Sequence, residues 1–338
     1  MISRIDTLII LFTAILVYAC LSIDIETPPS HEFLWGSLQN TDMPQINLTG
    51  GLAKNSQLSR QEKPHLLGDD TWSRNKLEEG VELLQRHEKI DGNRRAISII
   101  GLDIEERGDD FRLAAIHQLE DVDDAHRLTI SEFGEEFDAL AATNAGFAHG
   151  GTDYYNSGIL KIDGEVFPYY DNEPEELSFV GSSAFGIDDD NNWHFTERDG
   201  LNWDEDWPEV EHAIAGGHML ISDGRIKSNI LEKEYEGQRE ERHMNAQHPR
   251  TALCKTTDRI AAIIVVDGRH NEATGMTLRE LAKFLSDLGC EQAINFDGGG
   301  SSTMWTEAHG VVNHPSGNEE FDREGQRELR NAFIINPD

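Results

Sequence analysis

The sequence predicts an α+β fold: a single domain built on a mixed, strand-rich β-sheet, with a few packed helices and one βαβ crossover near the C-terminus. Three observations predict it. Short apolar or alternating runs recur from Val81 onward, several of them closed by Asp-Gly dipeptides that suit tight hairpin turns. Windows with helical periodicity are few. Between Ile260 and Phe296 an apolar run, an amphipathic helix and a second apolar run follow in order, which is the pattern of a crossover joining parallel strands.

The elements follow along the chain. Residues 1–20 read as an export signal, with Arg4 before an apolar run from Leu8 to Val17 and then Val17-Tyr18-Ala19-Cys20, which has the layout of a lipoprotein cleavage site. An uncleaved N-terminal anchor is the competing reading. Both place the folded part outside the cytoplasm, as a membrane-anchored lipoprotein or a secreted protein. Residues 21–73 are polar and contain Pro28-Pro29, Pro44 and Pro64, so they read as a tether. Residues 74–338 form the folded domain. Strands are expected at 81–84, 96–104 and 111–116, and a helix at 131–140 with Ser131 as its N-cap. Residues 158–162 and 165–167 flank Asp163-Gly164 as a hairpin, and Met219–Ser222 and Arg225–Ile226 flank Asp223-Gly224 in the same way. Asp188, Asp190 and Asn192 match the start of a calcium loop. Trp193 stands where that loop needs glycine, so the segment reads as a solvated hairpin tip.

Charge narrows the function classes. The chain has 338 residues, with 63 acidic against 29 basic side chains and a net charge of −34. Nucleic acid is excluded as a partner, because phosphate backbones require clustered Lys and Arg. The only membrane contact expected is through the N-terminal anchor. Cys254 and Cys290 each sit at the edge of an apolar run and read as buried free thiols. A disulfide between them is the alternative. No Cys-x-x-Cys pair signals a thiolate zinc site.

The segment Ile260 to Ser302 carries the chemistry. Ile260–Val266 is a continuous apolar, β-branched run that ends in Asp267-Gly268-Arg269. Thr277 and Glu280 form a capping box at the head of a helix whose Leu278, Leu281, Ala282, Leu285 and Leu288 share one face. Gly289 stops it. A strand at 293–296 then ends in Asp297, followed by Gly298, Gly299, Gly300, Ser301 and Ser302. Glycine lets the backbone approach a ligand closely. Successive amides in such a turn make a nest for an anion. Asp267 and Asp297, at the carboxyl ends of parallel strands, share one edge of the sheet. They are the candidate catalytic acids. Arg269 offers a planar fork for phosphate. Arg250 and His248, in His248-Pro249-Arg250-Thr251, and Asn144 after the first helix are further candidates for binding phosphate or a sugar hydroxyl. For each, a turn-forming or structural role is the competing reading.

Taken together, these residues resemble the phosphodiester glycosidase family. The resemblance rests on Asn144-Ala145-Gly146-Phe147, Ala215-Gly216-Gly217, His248-Pro249-Arg250-Thr251-Ala252, Val266-Asp267-Gly268-Arg269, Gly275-Met276-Thr277-Leu278 and the long run from Asn295 to Met304. Val312-Asn313-His314-Pro315-Ser316 and Arg330-Asn331-Ala332-Phe333 close the pattern. Ala145, Ala148, His218 and Cys254 depart from it. The resemblance implies a hydrolase that cleaves a sugar of the N-acetylglucosamine kind from a glycosyl phosphodiester, here an envelope or exopolysaccharide glycan. It implies phosphate held by Arg250, Arg269, Gly298, Gly299 and Gly300 with Ser301 and Ser302. Asp297 or Asp267 would act as base or nucleophile. A calcium or magnesium ion between the carboxylates is a variant of this chemistry. A tethered module that only binds phosphorylated glycans, and a metal-dependent phosphodiesterase, are the alternatives.

Overall fold

Three large β-sheets and one two-stranded pair make up the strands of the described residues. The computed structural model describes residues 72–338 apart from 91, 120–125, 149–155, 171–178, 198–206, 232–237 and 258. The described residues all belong to one compact unit, Gln45–Asp338. The expected export signal, Cys20 and all but the end of the expected tether lie outside them. Among the described residues no helix is long and apolar enough to cross a membrane.

The largest sheet has eight strands. Their order is Ser73–Glu78, Val81–Ile90, Asn93–Asp103, Ile260–Val266, Arg250–Thr256, Cys290–Asn295, Met219–Ser222 and Arg225–Ile226. A five-stranded sheet orders Trp193–Glu197, Ser183–Asp188, Val210–Gly216, Leu160–Ile162 and Glu165–Val166. Another orders Gly310–Val311, Met304–Thr306, Ala141–Asn144, Asn331–Ile335 and Phe111–Ala115. Asn156–Ser157 pairs in parallel with Tyr169–Tyr170.

The crossover is present, with one difference of detail. Ile260–Val266 and Cys290–Asn295 run parallel, but Arg250–Thr256 lies between them and pairs antiparallel with both. The short connection from Thr256 to Ile260 closes a hairpin first, so the helix Leu278–Asp287 must carry the chain over it. The consequence is positional. The carboxyl ends of the two parallel strands flank the amino end of Arg250–Thr256.

Both faces of this sheet are covered, which is why Ile260–Val266 reads as unbroken apolar sequence. Ile264, Val266, Ile97, Ile99, Leu84 and Cys254 pack toward the helix through Leu278, Leu281, Ala282 and Leu285. Ile263, Val265, Ile100, Leu102 and Leu253 join the opposite core with Phe111, Phe185, Phe296 and Phe333. Phe296 meets Phe333 edge-on with ring centroids 4.9 Å apart, anchoring the chain one residue before Asp297.

Local signals behave as expected. The Glu280 amide donates to Thr277 Oγ1 at 3.1 Å and the Thr277 amide to Glu280 Oε2 at 2.9 Å. Gly289 takes φ 85° after the helix. Asp163 and Gly164 (φ 52° and 75°) and Asp223 and Gly224 (φ 50° and 71°) make the two hairpin turns. The earlier helix differs. It spans Ile130–Glu136, and its N-cap is Thr129, which forms a reciprocal box with Glu132 that Ser131 cannot match. The acidic tip closes on itself, with Asp188 accepting from the Asp190 and Asn192 amides and from His194 Nε2.

The cysteines correct the expectation of free thiols. Cys254 and Cys290 are bonded, with Cα atoms 5.7 Å apart. They lie 36 residues apart in sequence. They meet because their strands are neighbours and the register shifts between Lys255 and Thr256.

Candidate functional site

The two aspartates do share an edge. Asp267 and Asp297 follow parallel strands separated by one other, so their strand ends lie roughly 10 Å apart, two strand spacings. Between them runs His248-Pro249, wedged by two glycines. A Cβ on Gly268 would lie 2.6 Å from the Pro249 nitrogen, and one on Gly298 would lie 2.8 Å from the Pro249 carbonyl oxygen. Gly275, at φ 98°, presses on His248 from a third side. These contacts are to backbone, which cannot swing away. Gly268→Ala is therefore expected to lower stability by about 1–3 kcal/mol, the usual range for overpacking. Urea unfolding would measure it, and an unchanged midpoint would refute the wedge.

Asp297 is held by its own backbone. Its amide donates to the Ala145 carbonyl at 3.1 Å, and its carbonyl accepts from Asn144 Nδ2 at 2.6 Å. The carboxyl is part-buried. Burial pushes its pKa up to about 6, against the opposing pull of the Ser301 hydroxyl, Arg327, the Gly298 amide and Arg269. A carboxyl group poised there is available for chemistry near neutrality.

The glycine turn corrects the expected nest. Its amides are mostly spent inside the protein. Gly299 donates to Pro249 at 2.9 Å, Ser301 to Gly298 at 3.2 Å and Ser302 to Gly299 at 3.3 Å. The glycines serve a different close approach. A Cβ on Gly299, already at φ 63°, would lie 2.7 Å from Arg269 Nη2, and one on Gly300 would collide with Arg327 Nη2. Two guanidinium groups thus lie along the bare turn beside Asp297. Arg269 itself sits at φ 68°. Burial and its neighbour Arg327 weaken its hold on its proton, while Asp297 strengthens it. Two cations packed this closely favour an anion between them. A cavity of about 650 Å³ opens beside Arg269, lined also by Gln247, His270, Thr274, Glu320 and Phe321.

Asp267 is not the free acid the sequence suggests. It is 2% exposed. Its Oδ1 accepts from Asn313 Nδ2 at 2.8 Å and from the His314 amide at 3.0 Å. Its Oδ2 accepts from His314 Nδ1 at 2.8 Å. Oxygens so occupied by N–H donors are poorly placed to share a cation, and among the described residues no three His, Cys, Asp or Glu side chains converge on a metal site. The calcium or magnesium variant does not fit this donor set.

Three further candidates build the frame. Arg250 is 1% exposed. Its Nε donates to the Met276 carbonyl at 2.8 Å, and its Nη2 to the His243 and Ala246 carbonyls at 2.6 and 3.0 Å. Burial and Arg269 push it down to about 9. Through Nε and Nη2 it acts as a strut. Asn144 is likewise spent, since its Oδ1 accepts from Thr251 Oγ1 at 2.9 Å and from the Thr303 amide at 3.1 Å. It ties three segments together behind Asp297. His248 exchanges backbone hydrogen bonds with Met276. Its ring is pushed down to about 4 by burial and by Arg250, Arg269 and Arg242, so it is neutral at pH 7. Ser302 is buried, with its hydroxyl 3.2 Å from Thr251 Oγ1.

The structure therefore gathers Asp297, Arg269, Gly298, Gly299, Gly300 and Ser301. It adds Arg327, for which the sequence carries no local signal, and His314, whose partner is 47 residues away. Only the short motif around Asn313-His314-Pro315 pointed there.

Comparison with known proteins adds a family and a fold. A family model described as phosphodiester glycosidase matches residues 137–336. Among solved structures, the chain is similar to the zebrafish N-acetylglucosamine-1-phosphodiester alpha-N-acetylglucosaminidase catalytic domain, auto-inhibited by its pro-peptide. The TM-score is 0.60 at 22% identity, covering 80% of this chain and 85% of that one. It is also similar to a hypothetical protein from Synechocystis, with a TM-score of 0.54 at 13% identity, covering 79% of this chain and 64% of that one. At these identities the likeness is one of fold. Over 76 residues it is 36% identical to the SPbeta prophage-derived uncharacterized protein YomE of Bacillus subtilis (strain 168). That stretch is 22% of this chain and 12% of YomE, so the chain spans a small part of that relative.

Proposed function

The chain belongs to the phosphodiester glycosidase family, and from that premise we propose that it hydrolyses a glycosyl phosphodiester at the bond between the anomeric carbon and the phosphate oxygen. One observation carries the reading: a carboxyl group with its pKa near 6 beside two guanidinium groups laid along a glycine turn.

The chemistry needs little more. A phosphodiester attached through an anomeric oxygen departs as a phosphate monoester, a good leaving group that requires no strong general acid. Arg269 and Arg327 hold that anion and stabilise the charge it gains. Asp297, ionised above about pH 6, faces the anomeric carbon as positive charge develops there. Gly298, Gly299, Gly300 and Ser301 keep the three charged groups close. Arg250, Asn144 and His248 fix the turn from behind.

The sugar proposed is of the N-acetylglucosamine kind, in keeping with the name of the zebrafish protein of similar fold. The glycan is proposed to lie in an envelope or exopolysaccharide. The buried Cys254–Cys290 disulfide supports an extracytoplasmic site of action, because such bonds persist in oxidising compartments. The export-signal pattern of residues 1–20 agrees, with the N-terminal anchor as the membrane contact. The acidic surface argues against nucleic acid.

Hydrolysis of a nitrophenyl N-acetylglucosaminyl phosphodiester in ¹⁸O-labelled water tests the reading. Label is expected in the released sugar. Label in the phosphate would mean that the P–O bond is cut and would replace the glycosidase with a phosphodiesterase. Binding without turnover across several sugars would favour a module that only recognises phosphorylated glycans.

A further inference from the structure

We infer that His314, oriented by Asp267, is a second catalytic residue, the base that removes the proton from the attacking water. The inference rests on the hydrolase reading above and assigns a group that reading does not use.

The geometry is that of an oriented imidazole. An ionised carboxylate only accepts hydrogen bonds, so the 2.8 Å contact between His314 Nδ1 and Asp267 Oδ2 makes Nδ1 the donor. In the neutral imidazole, Nε2 is then the nitrogen that carries the lone pair. It has no hydrogen-bond partner among the described residues. The ring is 18% exposed, whereas the Asp267 side chain is 3% exposed. Asp267 cannot turn away, because Asn313 Nδ2 and the His314 amide hold its other oxygen. The ring is clamped from a further side by Phe321, stacked at 3.8 Å with planes 12° apart. Phe321 lines the cavity beside Arg269.

The dyad is tied to the rest of the site. Asn313 Nδ2 also donates to the Ser302 carbonyl at 3.1 Å, at the end of the turn that begins with Asp297. The titratable groups packed around the ring are Asp267 and His87, the latter edge-on at 6.2 Å from strand Val81–Ile90. His270 packs edge-on against Phe321, with ring centroids 5.5 Å apart.

In the step assigned to it, a water oxygen bonds to the anomeric carbon. The carbon's bond to its leaving oxygen breaks, and the electron pair stays on that oxygen. The proton shed by the water passes to His314 Nε2. The imidazolium so formed is stabilised by Asp267 and returns its proton to solvent. Asp267 is a positioning residue, acting only through His314.

Two variants and a rescue test the assignment. His314→Asn keeps an amide N–H at the position of Nδ1, so the bond to Asp267 survives while the base is lost. Its kcat is expected to fall about 10²–10⁴-fold, the range for one general base, with KM little changed. His314→Ala is expected to lose as much and to regain activity with added imidazole, which fits the slot beside Phe321. Asp267→Asn is expected to lower kcat by holding the ring in the wrong tautomer. If His314→Asn turns over like the wild type while Asp297→Asn is dead, the inference fails and the hydrolase stands. Folded His314→Ala that imidazole does not revive also overturns it. If the wild type itself has no turnover, it is the hydrolase reading that fails.

Discussion

Asp297→Asn is expected to abolish turnover and, at neutral pH, to make the protein more stable. Activity should fall by roughly 10³-fold or more, since the charge facing the anomeric centre disappears. Stability should rise because the wild-type carboxylate is ionised in a place that resists ionisation. Burial raises its pKa from 3.8 to about 6. The folded state therefore binds its proton more tightly than the unfolded state does. The stability this contributes is fully present below about pH 3.8 and is lost as pH rises through about 6. Asparagine removes that dependence. The variant's advantage should be near zero at pH 4, grow up to about pH 6.5 and level off at roughly 1–3 kcal/mol, a pKa unit being worth about 1.4 kcal/mol. Urea unfolding at the two pH extremes, with turnover measured beside it, checks both halves. An equally active variant, or one less stable at pH 7.5, would contradict the site as described. A loss of function joined to a gain of stability is the signature of a residue kept for chemistry.

The second large effect concerns the disulfide. Replacing Cys254 and Cys290 together with alanine is expected to cost about 3–4 kcal/mol, the chain-entropy figure for a loop of this length. For a protein of this size that is a fall of roughly 5–7 °C in Tm. The bond joins Arg250–Thr256 to Cys290–Asn295, the strand that follows the wedge and the strand that leads to Asp297. Its loss should therefore be felt at the site, as earlier thermal loss of activity. Differential scanning calorimetry of the wild type with and without reductant, next to the double variant, reads it. Identical melting in all three would show that the bond does not hold this edge together.

Where the controlling interactions are short-range, the sequence was legible. Thr277 and Glu280 are three residues apart, and their reciprocal bonds follow from helix geometry alone. The Asp-Gly turns need only their own backbone preferences. The crossover from Ile260 to Asp297 announces two carboxylates on one edge because helix and strand periods are written in adjacent side chains. Even here proximity misled at Ser131, where the stronger Thr129–Glu132 box took the cap.

Roles that depend on a partner far along the chain were not legible. Arg250 reads as a phosphate clamp, yet the carbonyls of His243, Ala246 and Met276 take its Nε and Nη2 donors once it is buried. Asn144 is spent on Thr251, Thr303 and Asp297. Asp267 looked equivalent to Asp297, until His314 and Asn313 were seen to occupy both of its oxygens. The glycine run does admit a close approach. What approaches is a pair of guanidinium groups, and one of them, Arg327, lies in a polar stretch with no motif of its own.

The chain's local order thus set the strand-rich architecture, the crossover and the edge at which Asp267 and Asp297 emerge. Folding at long range chose between the acids, leaving Asp297 part-buried and shifted while binding Asp267 into a dyad. It also paired the cysteines and brought Arg327 to the turn. The physical reason is that periodicity and capping act over a few residues of backbone. A side chain's charge and reactivity depend on which donors, acceptors and charges surround it, and those arrive from anywhere in the sequence.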